Sequence, residues 1–292
     1  MIPLSPSRRA QEVALPGDRA ATSGSLLKFF LLAYAITWVC FTLVAIAVPM
    51  RTPAGYLLVL IGAFSPSFAA IWLTARTGGR IGVSDLLSGI LRWQVGARWY
   101  LFAAGFTVAV KLFVALAYRL ALGTWPRFGD TIWLIPVAIA FSTPFQAGEE
   151  IGWRGYALPR MAAKLGFGPA SLLLGLIWAF WHLPQFFIPG GDTYHQSFPV
   201  FVLGVTAFSV VMAWLYAQTR GSLLLTMLLH SAYNNSKDIV PSTVPGASNT
   251  FALSSSVVAW LTLAVLWICA GVFLVKMRKK EPGPAAAAEP DC

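Results

Sequence analysis

Apolar residues run through this chain in long blocks, separated by short polar stretches that are rich in arginine. An α-helix needs about 20 apolar residues to cross a hydrocarbon core about 30 Å thick. On that criterion the pattern predicts eight helical spans. They cover 26–48, 55–74, 99–122, a fourth from 132 into Glu149-Glu150, then 169–187, 198–218, 222–235 and 257–275. Pro66 predicts a kink in the second span. The fourth continues past Glu150 as a more polar helix to Lys164. The seventh is short for a bilayer, so it is either packed among the others or extends beyond its apolar part. The first span is too long for the apolar core of a signal peptide and follows a long polar lead, which predicts a retained helix. Residues 1–25 and 278–292 read as disordered cytoplasmic tails around one transmembrane bundle over 26–277.

Composition strengthens this picture. The chain has 292 residues, 57% hydrophobic and 11% charged, with a mean hydropathy of +0.69. A soluble domain carries about 25% charged residues, so the solvent for most of this surface is lipid. The net charge of +10 would suit nucleic acid, but the basic residues cluster beside the apolar spans and give no nucleic-acid surface. With the N-terminus inside, sixteen lysines and arginines fall in inner segments, while the outer segments hold Arg51, Arg119, Arg127 and Lys237. That bias predicts a multi-pass cell-membrane protein with both termini cytoplasmic, and Glu149 and Glu150 near the inner end of the fourth span. Cys40, Cys269 and Cys292 form no disulfide or zinc-finger spacing. There is no visible internal repeat.

Few ionisable groups remain inside the spans: Lys111, Glu149, Glu150, Arg154, His182 and His230. Such groups are costly in lipid and mark function by default. Glu150 and Arg154 are four apart and share a helix face, so they can pair. Glu149 points about 100° away and is left to face a cavity. His230 and Asn234, and Trp178 and His182, repeat the four-residue spacing on two further helices. Each patch also has a structural reading. His182 could bond a backbone carbonyl freed near Pro184, and His230 with Asn234 could be helix–helix glue. Jointly, a carboxylate, two histidines and an amide on three spans suit hydrolysis inside the membrane. Lys111 lies mid-span with no evident partner, in a structural or cavity-facing role.

These residues resemble those of the CAAX-protease and bacteriocin-processing family of intramembrane proteases, also called the Abi family. The resemblance rests on Glu149-Glu150-x-x-x-Arg154, Trp178-x-x-x-His182 and His230-x-x-x-Asn234, in that order. Arg154-Gly155-Tyr156-Ala157-Leu158-Pro159, Trp181-His182-Leu183-Pro184 and Gly221-Ser222-Leu223-Leu224 flank them. It implies an all-α polytopic bundle of about eight transmembrane helices enclosing a polar cavity open to the cytoplasm, with a catalytic core over 132–235. It also implies endopeptidase activity on a peptide or membrane-protein substrate. Glu149 would activate a water with help from His182, His230 and Asn234 would stabilise the oxyanion, and Glu150 and Arg154 would hold the motif. The alternative chemistry is a zinc site with Glu149, His182 and His230 as ligands and water in the fourth position. The rival functions are a non-catalytic immunity or scaffold protein of the same fold and a transporter or proton pathway.

Overall fold

The computed structural model describes residues 23–194, 196–242 and 253–278. The terminal stretches read as tails, apart from their innermost residues, lie outside the described residues, as does His195. Among the described residues the chain is helical, with no strand: α1 (Ser23–Ile46), α2 (Pro53–Ser88), α3 (Ala97–Leu122), α4 (Ile135–Ser142), α5 (Ala147–Glu150), α6 (Leu158–Leu165), α7 (Phe167–Trp181), α8 (Phe198–Gln218), α9 (Leu223–Ser236) and α10 (Leu253–Arg278). The all-α polytopic bundle is therefore present. Among the described residues six stretches are long and apolar enough to span a bilayer: α1, α2, α3, α7 with its 3-10 extension, α8 and α10. The predicted fourth span is broken into short pieces, and the seventh, α9, is 14 residues long with most of its side chains buried. Leu27, Leu101 and Leu120 are among many large apolar side chains left exposed on the outer helices, as a lipid-facing surface requires.

α8 is the most enclosed of the six spans. It packs between α7 and α10 and also touches α9. α1 packs on α2, and α3 lies along α9 and α10. The tight link from α8 to α9 passes through Arg220 and Gly221, both at positive φ (54° and 79°). Arg92 pins this turn to the end of α2 by donating to the Arg220 carbonyl at 2.6 Å, while the Ser222 hydroxyl donates to the Arg92 carbonyl at 2.7 Å.

The kink expected at Pro66 lies elsewhere. α2 stays helical through Pro66, and its backbone breaks at Gly79 (φ 59°, ψ −154°). The reason is local. A proline has no N–H, so the carbonyl four residues back loses its helical partner. That carbonyl belongs to Gly62, and Thr37 of α1 donates its hydroxyl to it at 2.7 Å. A neighbouring helix thus restores the lost bond.

Lys111 has partners that the spacing did not reveal. Its ammonium donates to the Val240 carbonyl (3.1 Å), Ser242 Oγ (2.9 Å) and Thr262 Oγ1 (3.4 Å). It ties α3 to the chain beyond α9 and to α10.

The broken fourth segment has its own logic. Pro144 opens a 3-10 turn over Thr143–Gln146, and after α5 the chain widens into a π-helix over Ile151–Ala157. Gly152 lets this segment lie directly on α2, because a Cβ there would meet the Pro66 backbone at 2.6 Å. Gly152→Val is therefore expected to destabilise the protein by about 1–3 kcal/mol, read as a lower Tm in detergent. Gly105→Ala, where an added Cβ meets nothing within 4 Å, is the control and is expected to leave Tm nearly unchanged.

Candidate active site

The sequence-selected groups meet at mid-bundle. Glu149 follows Gly148, which packs against Phe64 of α2, and Ser67 of α2 donates to the Ala147 carbonyl at 2.6 Å. Ser65, on the same stretch of α2, donates to the Ala33 carbonyl of α1, which also accepts from the Trp181 indole of α7. Ala33 lies near the middle of α1. His230 and its ring neighbour Phe208 are near the middles of α9 and α8. The two carboxylates therefore lie deep in the bundle and not at the inner end of the fourth span. The charge bias marked the arginines beyond them, and the continuing segment to Leu165 carries those arginines away from the motif.

The carboxylates do separate. Glu150 is fully buried, and its Oε1 accepts from Arg154 at 2.8 Å and from His230 Nδ1 at 2.9 Å. Arg154, also fully buried, lays its guanidinium over the Trp178 ring, 4.1 Å from the centroid. Glu149 keeps 15% of its side-chain surface open and His182 keeps 11%, so Glu149 is the carboxylate that a substrate could reach. Its Oε2 accepts from the Trp178 indole N–H at 2.7 Å and stands 4.0 Å from His182 Nε2.

Hydrogen-bond partners fix the imidazoles. His182 Nδ1 lies 2.8 Å from the Trp178 carbonyl. A carbonyl only accepts, so Nδ1 carries the proton and a neutral ring offers Nε2 as an acceptor. That carbonyl is free because α7 tightens at its end: the His182 backbone N–H bonds to Ala179, not Trp178. The structural reading of His182 and a functional one therefore hold together, one on each ring nitrogen. His230 likewise donates from Nδ1 to Glu150 and keeps Nε2 for the site.

The arrangement brings Glu149, Trp178 and His182 together, and Glu150, Arg154 and His230 together, with Trp178 touching both groups. Asn234 stands apart. It is exposed and makes no side-chain hydrogen bond among the described residues. Its neighbour Asn235 turns inward and donates to Ser142 Oγ (2.9 Å) and the Ser231 carbonyl (2.8 Å), while Ser142 and Ser231 share a 2.6 Å bond. Spacing from His230 favoured Asn234 and gave no hint of this serine–asparagine link. The Trp178 indole was also missed as a donor, although its four-residue spacing from His182 had marked it.

Zinc would need three of these side chains around one point. Both imidazoles have the Nδ1 bonds that such ligands usually make. Yet among the described residues no three His, Cys, Asp or Glu side chains converge to hold an ion. The donor set does not fit a zinc ion in this arrangement.

A family model described as Type II CAAX prenyl endopeptidase Rce1-like matches residues 129–236, a stretch that contains every group of the site. Over this stretch the chain is similar to the CAAX-protease family. A similar protein is CAAX prenyl protease 2 of Methanococcus maripaludis, 28% identical over 98 residues, which are 32% of this chain. The chain spans 36% of the length of that relative. The matched stretch runs from just before the broken fourth segment to the end of α9, and leaves α1–α3 and α10 outside it.

The Glu150–Arg154 pair gives a direct test of the packing. Arg154→Met removes the cation and leaves Glu150 buried with His230 alone. A cost of about 3–5 kcal/mol is expected, measured by thermal unfolding in detergent. Arg154→Lys is expected to recover only part of it, since an ammonium cannot lie flat on Trp178 as a guanidinium does.

Proposed function

We propose that this protein is an intramembrane endopeptidase of the CAAX-protease type that hydrolyses a peptide bond with a carboxylate-activated water. One observation carries the reading. Glu149 Oε2 and His182 Nε2 face each other across 4.0 Å, and both side chains keep part of their surface open. Both are acceptors when His182 is neutral, and the gap matches a water that donates one hydrogen to each. In the first step the water oxygen bonds to the scissile carbonyl carbon while Glu149 takes its proton. The carbonyl π pair moves to oxygen and makes a tetrahedral oxyanion. Collapse then re-forms the carbonyl and breaks the C–N bond, and Glu149 passes its proton to the leaving amine. The products are a carboxylic acid and an amine.

The oxyanion calls for donors. We assign His230 Nε2 as the first, with Glu150 holding the opposite nitrogen. The second donor we assign to Asn234, one turn further along α9, whose exposed side chain must turn toward the site to reach the oxyanion. Glu150 and Arg154 hold His230 and Trp178 in place.

The name of the Methanococcus maripaludis relative makes prenylated peptides ending in Cys-aliphatic-aliphatic-X the first substrates to test, beside an unmodified peptide library. Purified protein is expected to cleave at least one of them. Glu149→Gln and His182→Ala are each expected to lower kcat by about 10²–10⁴-fold. Equal, wild-type cleavage by both variants would sink the site. Activity is expected to survive dialysis against a strong chelator. A loss that added Zn²⁺ restores would overturn the metal-free mechanism.

The basic end of the bundle and both termini face the cytoplasm in this reading, on the strength of the charge bias. Single cysteines at Arg92 and Asp192, in a background without native cysteines, are expected to react with an impermeant thiol reagent only after lysis and in intact cells respectively. The reverse pattern would invert the topology.

A further inference from the structure

The Glu149 side chain turns about three rotatable bonds, and among the described residues no lysine or arginine bonds its carboxylate. Among the described residues the Trp178 indole is the single side-chain donor within hydrogen-bond reach of its carboxylate, at 2.7 Å. A base that must meet a water and a carbonyl carbon within a few tenths of an ångström needs its orientation fixed beforehand. Trp178 is suited to fix it, because it is itself immobile. It is 2% exposed. One ring face carries the Arg154 guanidinium at 4.1 Å, and the His230 ring stands edge-on with centroids 5.2 Å apart. The same residue supplies the backbone carbonyl that takes the His182 Nδ1 proton. Both atoms that face each other across the 4.0 Å gap are therefore referred to one residue.

We propose that Trp178 is the positioning residue of the site: its indole N–H sets the Glu149 carboxylate, and its carbonyl sets the ring of His182, so that Oε2 and Nε2 stand a water's width apart. The inference rests on the endopeptidase reading above. It separates two functions of the aromatic ring. Stacking under Arg154 needs only a flat apolar face, which phenylalanine also has. Holding Glu149 needs an N–H, which phenylalanine lacks. The Trp178 carbonyl belongs to the backbone and survives substitution, so Trp178→Phe isolates the bond to Glu149.

The test combines kinetics with a signal that does not depend on turnover. On the best-cleaved peptide of the library, Trp178→Phe is expected to lower kcat roughly 10- to 100-fold, the scale of one hydrogen bond to a charged group. KM is expected to change by less than about threefold, because the bond acts on the base and not on substrate binding. Glu149→Gln with Trp178→Phe is expected to be no slower than Glu149→Gln alone. In the intact protein, the ¹⁵N–¹H indole resonance of Trp178 is expected to move upfield in Glu149→Gln, as a carboxylate acceptor becomes an amide. Wild-type kcat in Trp178→Phe, or a loss confined to KM, would overturn the proposal. So would an indole resonance that ignores Glu149→Gln, and that measurement stands even where Trp178→Phe does not fold. Wild-type turnover in Glu149→Gln would instead overturn the role of Glu149 as base. The indole resonance would then decide alone whether the positioning bond exists.

Discussion

The interaction on which the rest depends is the ion pair of Glu150 and Arg154, both fully buried inside a bundle whose outer faces are apolar. Charges placed there must be paired and hydrogen-bonded, since desolvation costs several kcal/mol per ion. Glu150 meets part of that demand by accepting from Arg154 and His230 through Oε1, while its Oε2 has no partner among the described residues. Arg154 meets part of it by lying on the Trp178 ring. Each solution recruits another helix: His230 comes from α9 and Trp178 from α7. The pair within one helical turn thus sets the mutual position of three segments.

Function follows from what this pair leaves over. Glu150 is consumed by its partners, so Glu149 faces outward from the cluster with room around it. Two adjacent carboxylates in one sequence motif end up in different chemical states because the helix turns by about 100° between them. The pocket needs no separate scaffold. The groups that bury the charge also orient the imidazoles, through Glu150 for one ring and the Trp178 carbonyl for the other.

Much of this was legible in the sequence. The spans were readable because lipid imposes a length and a composition on them, and α1, α2, α3, α7, α8 and α10 lie close to where the apolar blocks placed them. The pairing of Glu150 with Arg154 was readable because four residues is one helical turn. What spacing could not give was anything that depends on contacts between distant segments. Thr37 bonds the Gly62 carbonyl that Pro66 leaves unpaired, from another helix. Lys111 finds its acceptors about 130 and 150 residues away. His230 bonds Glu150 across 80 residues, so the role of Glu150 was read as half of what it is. The depth of the motif was misjudged for a similar reason: charge marks where arginines lie relative to the surface, and Glu149 is on the same segment but more than ten residues from Lys164.

The π-helix over Ile151–Ala157 has a genetic consequence. Such a segment accommodates one residue more than an α-helical path of the same pitch would hold. Loss of a single codon there can be absorbed by reverting to α-helical turns, without breaking the membrane segment. Reversion keeps the flanks in phase, so Glu149, Glu150 and α6 hold their positions. What changes is the segment itself: a codon lost before Arg154 shortens its spacing from Glu150 from four residues to three, and one lost after it leaves that spacing alone. This short stretch is therefore where the gene can change length at little cost to insertion in the membrane, and the cost to the site depends on which side of Arg154 the loss falls.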